Sequence, residues 1–434
     1  MTVNKNKRLE ILISAHELSP ELGSECSSGW NVITRLCNYH NITVLYAETN
    51  QFNTNNYRNQ IKNFLSEKGL IKGLKFISVP QPKITNRIAF INKLFSNKKS
   101  SVGISFLYFL GVRFWEKQVL KKSKKIIKSE HIDIVHHFNH LSFREPGFLW
   151  KLNKPFVWGP TSGISSIPYS FLLNFPLKTI ISNFFRNTVG QLQGSFSVRV
   201  NRAIQKASLI YFVTSEDELF FSNKTKNIQH LLDTGGYLSI NSNVKLEHSN
   251  RINIIWVGRL DYLKSLNLLL EALESDEYLK LNVDITVIGD GPEADLYKNK
   301  AKELGLENIN WVGQVSKQEV LTKMKEADFL VHTSVKEAAS AVMLEALSHG
   351  LPVICHDAFG LAYGINDTCG IKIPFDSPKE SVIGFKNVIK KLAKNRNLIT
   401  HLSKGAVKRS QELSWDTMAK NIAKNYTSAY KNFT

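Results

Sequence analysis

The 434-residue sequence predicts an α/β fold built of two doubly wound domains, and three observations carry that prediction. Short apolar, β-branched runs alternate with helical stretches along the chain, which is the pattern of parallel sheets covered by helices. The arrangement of strand, Gly-containing loop and helix opens the chain at 8–14 and starts again at 253–257. The length also exceeds what one ordinary core accommodates, at roughly 150 residues per domain. The turn-rich connector Asp233-Thr234-Gly235-Gly236-Tyr237 sets the boundary. The expected units are an N-terminal domain over 1–236, a C-terminal domain over 237–410 and a final helical segment over 411–434.

Composition narrows the function. Hydrophobic content of 43% and aromatic content of 10% are those of a globular chain, whereas a net charge of +19 points to an anionic partner. Cys26, Cys37, Cys355 and Cys369 form no C-x-x-C pair, which argues against a zinc site or dithiol centre and for a reducing, cytoplasmic home. The apolar run at 11–13 ends too soon for a signal peptide, and no window approaches 18 uninterrupted apolar residues. A soluble or peripheral protein is expected.

In the first half, the strand at 8–14 leads into a loop holding Gly23, Ser24 and Glu25, then a helix over 30–39 and a strand over 42–47. Between 83 and 125, eleven Lys and Arg residues face the single acid Glu116, with Phe90, Phe106, Phe109 and Trp115 interleaved. That mixture suits an anionic membrane surface, where basic residues attract the leaflet and aromatic rings seat among headgroups. Single-stranded nucleic acid is a second possibility, although no nucleic-acid recognition motif is present. A third is a core helix over 104–115 with a solvated basic face. The second apolar and basic piece at 171–187 favours the membrane. A strand over 133–138 ends in His136 and His137, with His140 beyond it. Side chains alternate across a strand, so only one of the first two can face a cleft. A helix is expected over 143–152, a strand over 155–158, and the last strand of the domain over 207–214, with Ser215 capping the helix after it.

The second half restarts at 253–257 and runs into Gly258, Arg259, Leu260, Asp261 and Lys264, ahead of a helix over 265–273. The strand at 283–289 ends in Gly289-Asp290-Gly291-Pro292, which lacks the G-x-G-x-x-G that a dinucleotide needs, so NAD is not expected. Asn310-Trp311-Val312-Gly313, with Gln314 after it, is the next strand end. The strand at 327–332 then opens on Glu337, and Glu345 follows eight positions later on a helix that begins near 338–340. Small residues between the acids, Ala338, Ala339, Ser340 and Ala341, leave backbone N–H groups open at a helix N-terminus, a place that suits phosphate. A carboxylate beside an anion site implies a ligand carrying both phosphate and hydroxyl groups, and a nucleotide-sugar meets that description.

The spacing of Glu337 and Glu345, followed by Gly350, Leu351 and Pro352, resembles the E-x7-E signature of the retaining GT-B glycosyltransferases of family GT4. The resemblance implies two Rossmann-like domains facing each other across a cleft, with the last helix crossing back onto the first. It implies that Glu337 faces the donor sugar and Glu345 holds the ribose. Gly258-Arg259-Leu260 with Lys264 is similar to the family's G-R-L-x-x-x-K element, whose cations stabilise the departing diphosphate without a metal. Gly289 and Gly291 match its G-x-G-P turn, Gly313 and Gln314 its base-binding strand end, and one of His136, His137 or His140 its strand-end histidine. Gly23-Ser24-Glu25 followed by Gly29-Trp30 resembles bacterial surface-polysaccharide members, in which this loop walls the cleft. Two departures stand out: Ala338 and Ser340 replace glycines of the acid loop, and Ser265 replaces the glycine after the lysine. The resemblance thus implies a UDP- or GDP-sugar donor with no separate cofactor, and a glycan or lipid-linked acceptor at the inner face of the membrane. The catalytic candidates are Glu337, Arg259, Lys264, His136 and His137. The donor-site candidates are Gly23, Ser24, Gly258, Gly289, Gly291, Gly313, Gln314, Ala339, Ser340, Ala341 and Glu345. A nucleotide-sugar epimerase and a non-catalytic donor-binding scaffold are the alternatives.

Overall fold

A computed structural model describes residues 8–95, 103–173, 175, 177–237 and 251–433. β1 (Glu10–Ala15), β2 (Asn41–Ala47), β3 (Leu74–Val79), β4 (Ile134–Asn139), β5 (Phe156–Thr161), β6 (Ala207–Phe212) and β7 (Ile228–His230) form a sheet in the order β3-β2-β1-β4-β5-β6-β7. β8 (Ile252–Val257), β9 (Val283–Ile288), β10 (Ile309–Gly313), β11 (Phe329–His332), β12 (Val353–His356) and β13 (Gly370–Ile373) form a second, ordered β10-β9-β8-β11-β12-β13. All pairings in both sheets are parallel. Parallel strands carry helices on both faces, so their residues are buried throughout, as in β4, β5, β11 and β12.

Strand order reverses between β1 and β4 in the first sheet and between β8 and β11 in the second. In open parallel sheets the crevice for ligands opens at such a switch point, beyond the carboxyl ends of the strands. The loops that leave β1, β4, β8 and β11 hold Gly23-Ser24, His140, Arg259-Lys264 and Glu337, so strand topology alone gathers the candidate residues at two sheet edges.

Two segments tie the lobes together. The C-terminal helix Trp415–Phe433 packs on the helix Ser24–Leu36 of the first lobe. His40 Nε2 lies 3.0 Å from the Ala423 carbonyl on that helix. In the other direction, an arm after β5 reaches into the second lobe, where Ile167, Phe171 and Leu172 join its core. Phe171 stacks on Phe375 with ring centroids 4.6 Å apart, and Ser170 Oγ donates to the Asp376 carbonyl at 2.8 Å. Among the described residues no helix is long and apolar enough to cross a membrane.

Three elements differ from expectation. The first helix starts at Ser24, six residues ahead of 30, because Cys26, Ser28 and Gly29 carry its buried face and apolar periodicity cannot register them. No α-helix forms over 143–152; only a 3₁₀ turn at Leu149–Lys151 does, since Pro146 and Gly147 interrupt the stretch. Gly147 has φ +57°, and a Cβ there would stand 2.8 Å from His137 Nδ1. Finally, the helix expected over 104–115 continues from Ser105 to Ser129, burying Val112, Trp115, Val119 and Ile126 on one face and leaving Phe106 exposed at its start.

Candidate active site

A cavity of about 610 Å³ lies between the lobes. Gly23, Ser24 and Glu25 wall it from the first lobe, Ala339, Ala341 and Glu345 from the second, and Asp233–Tyr237 from the connector. Gly23 is the N-cap of the helix Ser24–Leu36, which places the start of that helix against the cavity.

The acid loop is built from the strand end upward. Val335 N–H donates to the Leu263 carbonyl at 2.9 Å and Thr333 Oγ1 to the Lys264 carbonyl at 2.6 Å, so the loop after β11 is laced to the loop after β8. Lys264 Nζ then reaches the Glu337 carboxylate as an ion pair. Beyond Glu337, Ser340 caps the helix Ala341–Ser348. Its Oγ accepts from Met343 N–H at 3.3 Å and lies 3.0 Å from His332 Nε2. Ser340 therefore occupies one of the N–H groups that the small-residue stretch would otherwise leave open. Glu345 projects from this helix into the cavity and pairs with Lys317 at 2.8 Å. Burial, with the nearby Lys264 charge and His356, drives His332 down to about 3, so the imidazole beside Glu337 is neutral.

The donor-site candidates divide into two sets. Gly23, Ser24, Ala339, Ala341 and Glu345 line one cavity. Gly258, Gly289, Gly291, Gly313, Gln314 and Ser340 lie outside its lining, as do Arg259, Lys264 and Glu337. Gly289 and Gly291 serve a close approach between loops: a Cβ on the first would stand 1.9 Å from the Gly258 carbonyl and on the second 2.3 Å from that of Leu260. They allow the Arg259-bearing loop to pack against the turn after β9. Arg259 is exposed, with Asp261 3.7 Å away. Glu337 precedes the lining residue Ala339 by two positions.

The strand-end histidines require a correction. Neither His136 nor His137 faces the cleft. His136 is fully buried between the sheet and the C-terminal helix, where Nε2 donates to the Gly159 carbonyl at 2.7 Å and Nδ1 accepts from the Tyr426 hydroxyl at 2.5 Å. Burial lowers it to about 4. His137 turns the other way, 3.0 Å from the Glu145 carbonyl and 3.5 Å from Glu116, and burial lowers it to about 3. Of the three strand-end histidines, His140 is the one that touches a cavity residue, with Nδ1 3.3 Å from Glu25; His349, from the far end of the acid helix, lines the cavity itself. Burial opposes its charge, but hydrogen bonding to Glu25 and the charges of Glu25, Glu17 and Glu116 raise it to about 8.

Asp233 is a cavity residue that sequence reasoning treated as connector alone. Burial, followed by the charges of Glu25 and Glu337, pushes it up to about 7. Its sole sequence signal is the Asp-Thr-Gly-Gly turn, which reports backbone shape and not proximity to two acids.

Comparison with known proteins places this geometry. Residues 240–409 match the family model for glycosyl transferases group 1. The D-rhamnosyltransferase WbpZ of Pseudomonas aeruginosa is 30% identical over 196 residues, covering 43% of this chain and 49% of that protein. The chain thus spans about half the length of the curated relatives it matches. The crystal structure of Anabaena Alr3699/HepE in complex with UDP superposes with a TM-score of 0.59 at 16% identity, covering 97% of this chain and 100% of that one. Sucrose-phosphate synthase from Thermosynechococcus elongatus gives 0.60 at 14% identity, covering 98% and 100%. The fold is GT-B. In GT-B terms the two lobes are Rossmann-like domains, the 610 Å³ cavity is their shared cleft, and the E-x7-E acids and the G-R-L loop both belong to the stretch that matches the family model.

Proposed function

We propose that the chain is a retaining, metal-independent GT4-type glycosyltransferase that moves a sugar from a UDP- or GDP-sugar to a lipid-linked or polysaccharide acceptor in surface polysaccharide synthesis. One observation carries the reading: the interlobe cavity has Glu345 on one wall and the Gly23-Ser24 helix start on the other, with the Glu337–Lys264 ion pair two residues before the lining residue Ala339. In this reading Glu345 accepts hydrogen bonds from the ribose hydroxyls, and Arg259 and Lys264 meet the diphosphate. During transfer the acceptor hydroxyl oxygen bonds to the anomeric carbon on the face from which the diphosphate leaves. The anomeric C–O bond breaks with its electron pair passing to the diphosphate, and the hydroxyl proton goes to the same departing oxygen. Fixed cations stabilise that growing charge more than the ground state. His140, beside Glu25, replaces His136 and His137 as the histidine candidate.

A second cavity of about 930 Å³ shares Glu25 and Leu141 with the first and favours transfer over epimerisation, which needs no acceptor site. Peripheral attachment to the inner face of the membrane is supported by the helix Leu177–Phe196, on which Leu177, Ile181, Phe185, Leu192 and Phe196 form an exposed apolar stripe. The test is a panel of UDP- and GDP-sugars, with and without glycan and lipid acceptors, read by nucleotide release. Acceptor-dependent release supports the proposal. Isomerised donor without acceptor supports an epimerase, and binding without turnover on any acceptor supports a scaffold. Failure of every donor to bind sinks the reading.

A further inference from the structure

The second cavity has a composition that the donor does not explain. Phe106, Phe109, Phe185 and Val189 line it, and Phe106, Phe185 and Val189 are also exposed to solvent, so its apolar wall is continuous with the exposed stripe. Arg144 and Arg186 line it too, with Lys336, outside the lining, near enough to feel both charges. Among the described residues none of these three cations has a carboxylate partner, whereas Arg113 and Arg199 in the same cavity are both paired with Glu145. Asp217, an acid near the trio, is already engaged by Ser162 Oγ, Thr214 Oγ1 and the backbone N–H groups of Gly163 and Ile164.

The Arg144 guanidinium is fixed in place. Its Nε donates to Gln193 Oε1 at 2.7 Å, its plane lies over the Phe143 ring at 4.7 Å, and its Nη2 sits 2.7 Å from where a Cβ on Gly190 would be. A glycine at that helical position leaves the room the guanidinium occupies. Burial, then the charges of Arg186 and Arg144, lower Lys336 to about 8, with the Asp217 carboxylate opposing them. Two such guanidinium groups lining one cavity, with Lys336 behind them, call for an anion with several oxygens, and guanidinium groups match phosphate geometry.

We propose that this cavity is the acceptor site and takes a phosphate-bearing lipid, its phosphate held by Arg144 and Arg186 and its chain running along Phe106, Phe109, Phe185 and Val189 to the membrane. The proposal rests on the transfer reading above and gives its acceptor a class. A lipid so placed directs the far side of its headgroup towards Glu25 and Leu141, the residues common to both cavities.

The test measures binding of farnesyl phosphate, farnesol and inorganic phosphate to the full chain by calorimetry, with UDP and GDP affinities determined on the same samples. Farnesyl phosphate is expected to bind at least about tenfold more tightly than either of the others, and Arg186→Gln or Arg144→Gln to remove roughly tenfold of that affinity while farnesol binding stays unchanged. Arg186 lies on an exposed helical surface, so its variant keeps the fold even if Arg144→Gln does not. Farnesyl phosphate binding no tighter than farnesol reduces the site to apolar partition, and no tighter than inorganic phosphate reduces it to an adventitious anion site. Either result, or wild-type affinity in both variants, overturns the inference. Missing binding of both UDP and GDP overturns the transfer reading instead, whereas normal binding of either nucleotide without farnesyl phosphate binding overturns this inference alone.

Discussion

Replacing Glu345 with alanine tests the donor cavity most directly. The carboxylate projects from the helix Ala341–Ser348 into the cavity with its side chain 23% exposed, and among the described residues its ion-pair partner is Lys317, itself 67% exposed. A surface pair of that kind contributes about 0–1 kcal/mol to folding, so the variant stays folded. Binding is a different matter. A ribose presents two vicinal hydroxyls, and hydrogen bonds to an ionised carboxylate contribute about 1.5–3 kcal/mol each in favourable cases. Partial exposure of Glu345 and its existing bond to Lys317 reduce the return, and a net loss of about 2–3 kcal/mol is expected, or roughly 30- to 150-fold in Kd. Calorimetric titration with UDP and with GDP, alongside a thermal melt to verify folding, gives the answer. A nucleotide Kd within about twofold of wild type in a folded variant would refute the assignment of Glu345 to the ribose, since a carboxylate making even one such bond exceeds that change.

The remaining predictions address the leaving group, the loop scaffold and pH. Arg259→Ala and Lys264→Ala should each lower turnover by about 10²–10³ with the fold retained, the scale of losing one transition-state charge donor, and near-normal kcat in both variants would remove them from the mechanism. Gly291→Ala forces a Cβ to within 2.3 Å of the Leu260 carbonyl, a backbone atom that cannot swing aside. The expected cost is about 2–4 kcal/mol in urea unfolding, and a loss below 0.5 would mean that the loop is more pliant than this approach implies. His356 is buried between the Ser334 carbonyl and Ser381 Oγ, and burial lowers it to about 4. A histidine depressed in the folded state gives stability that is present above its unfolded value of about 6.5 and lost as pH falls towards 4. Between pH 7 and pH 5 it accounts for a loss of about 2 kcal/mol, which His356→Asn should delete from the wild-type difference; identical pH dependence in the two proteins would contradict it.

Alternation of apolar runs and polar loops sufficed to read the inner strands of both sheets, because these are buried on both faces and end abruptly where the ligand crevice begins, whereas the edge strands β3, β7 and β13, only partly buried, were not read. The acid pair was legible for the same reason: Glu337 and Glu345 lie within a few residues of one strand end, so local spacing nearly determines where they stand. The histidines show the limit. Period-two alternation correctly separates His136 from His137, but it cannot reveal that the C-terminal helix, some 290 residues later, supplies the hydroxyl that occupies His136. Arg144, Arg186 and Lys336 were out of reach for the same reason, since they come together only when the arm after β5 folds across the molecule. The early start of the helix at Ser24 escaped notice because serines and a glycine cover its buried side.

That arm imposes a mechanical constraint on any enzyme that works by opening and closing. The helix Leu177–Phe196 is a rod of roughly 30 Å, anchored near its beginning by Ile180 to the core that contains Phe171 and near its end by Gln193 to Arg144. A strut fastened to two bodies must tilt or slip when they rotate apart. Its greasy outer edge would turn with it, so seating that edge in a bilayer resists rotation and holds the jaws at one angle. Fluorescence energy transfer between dyes on the two lobes, with and without anionic vesicles, measures this, and an interlobe distance that ignores the vesicles would show that the strut transmits nothing.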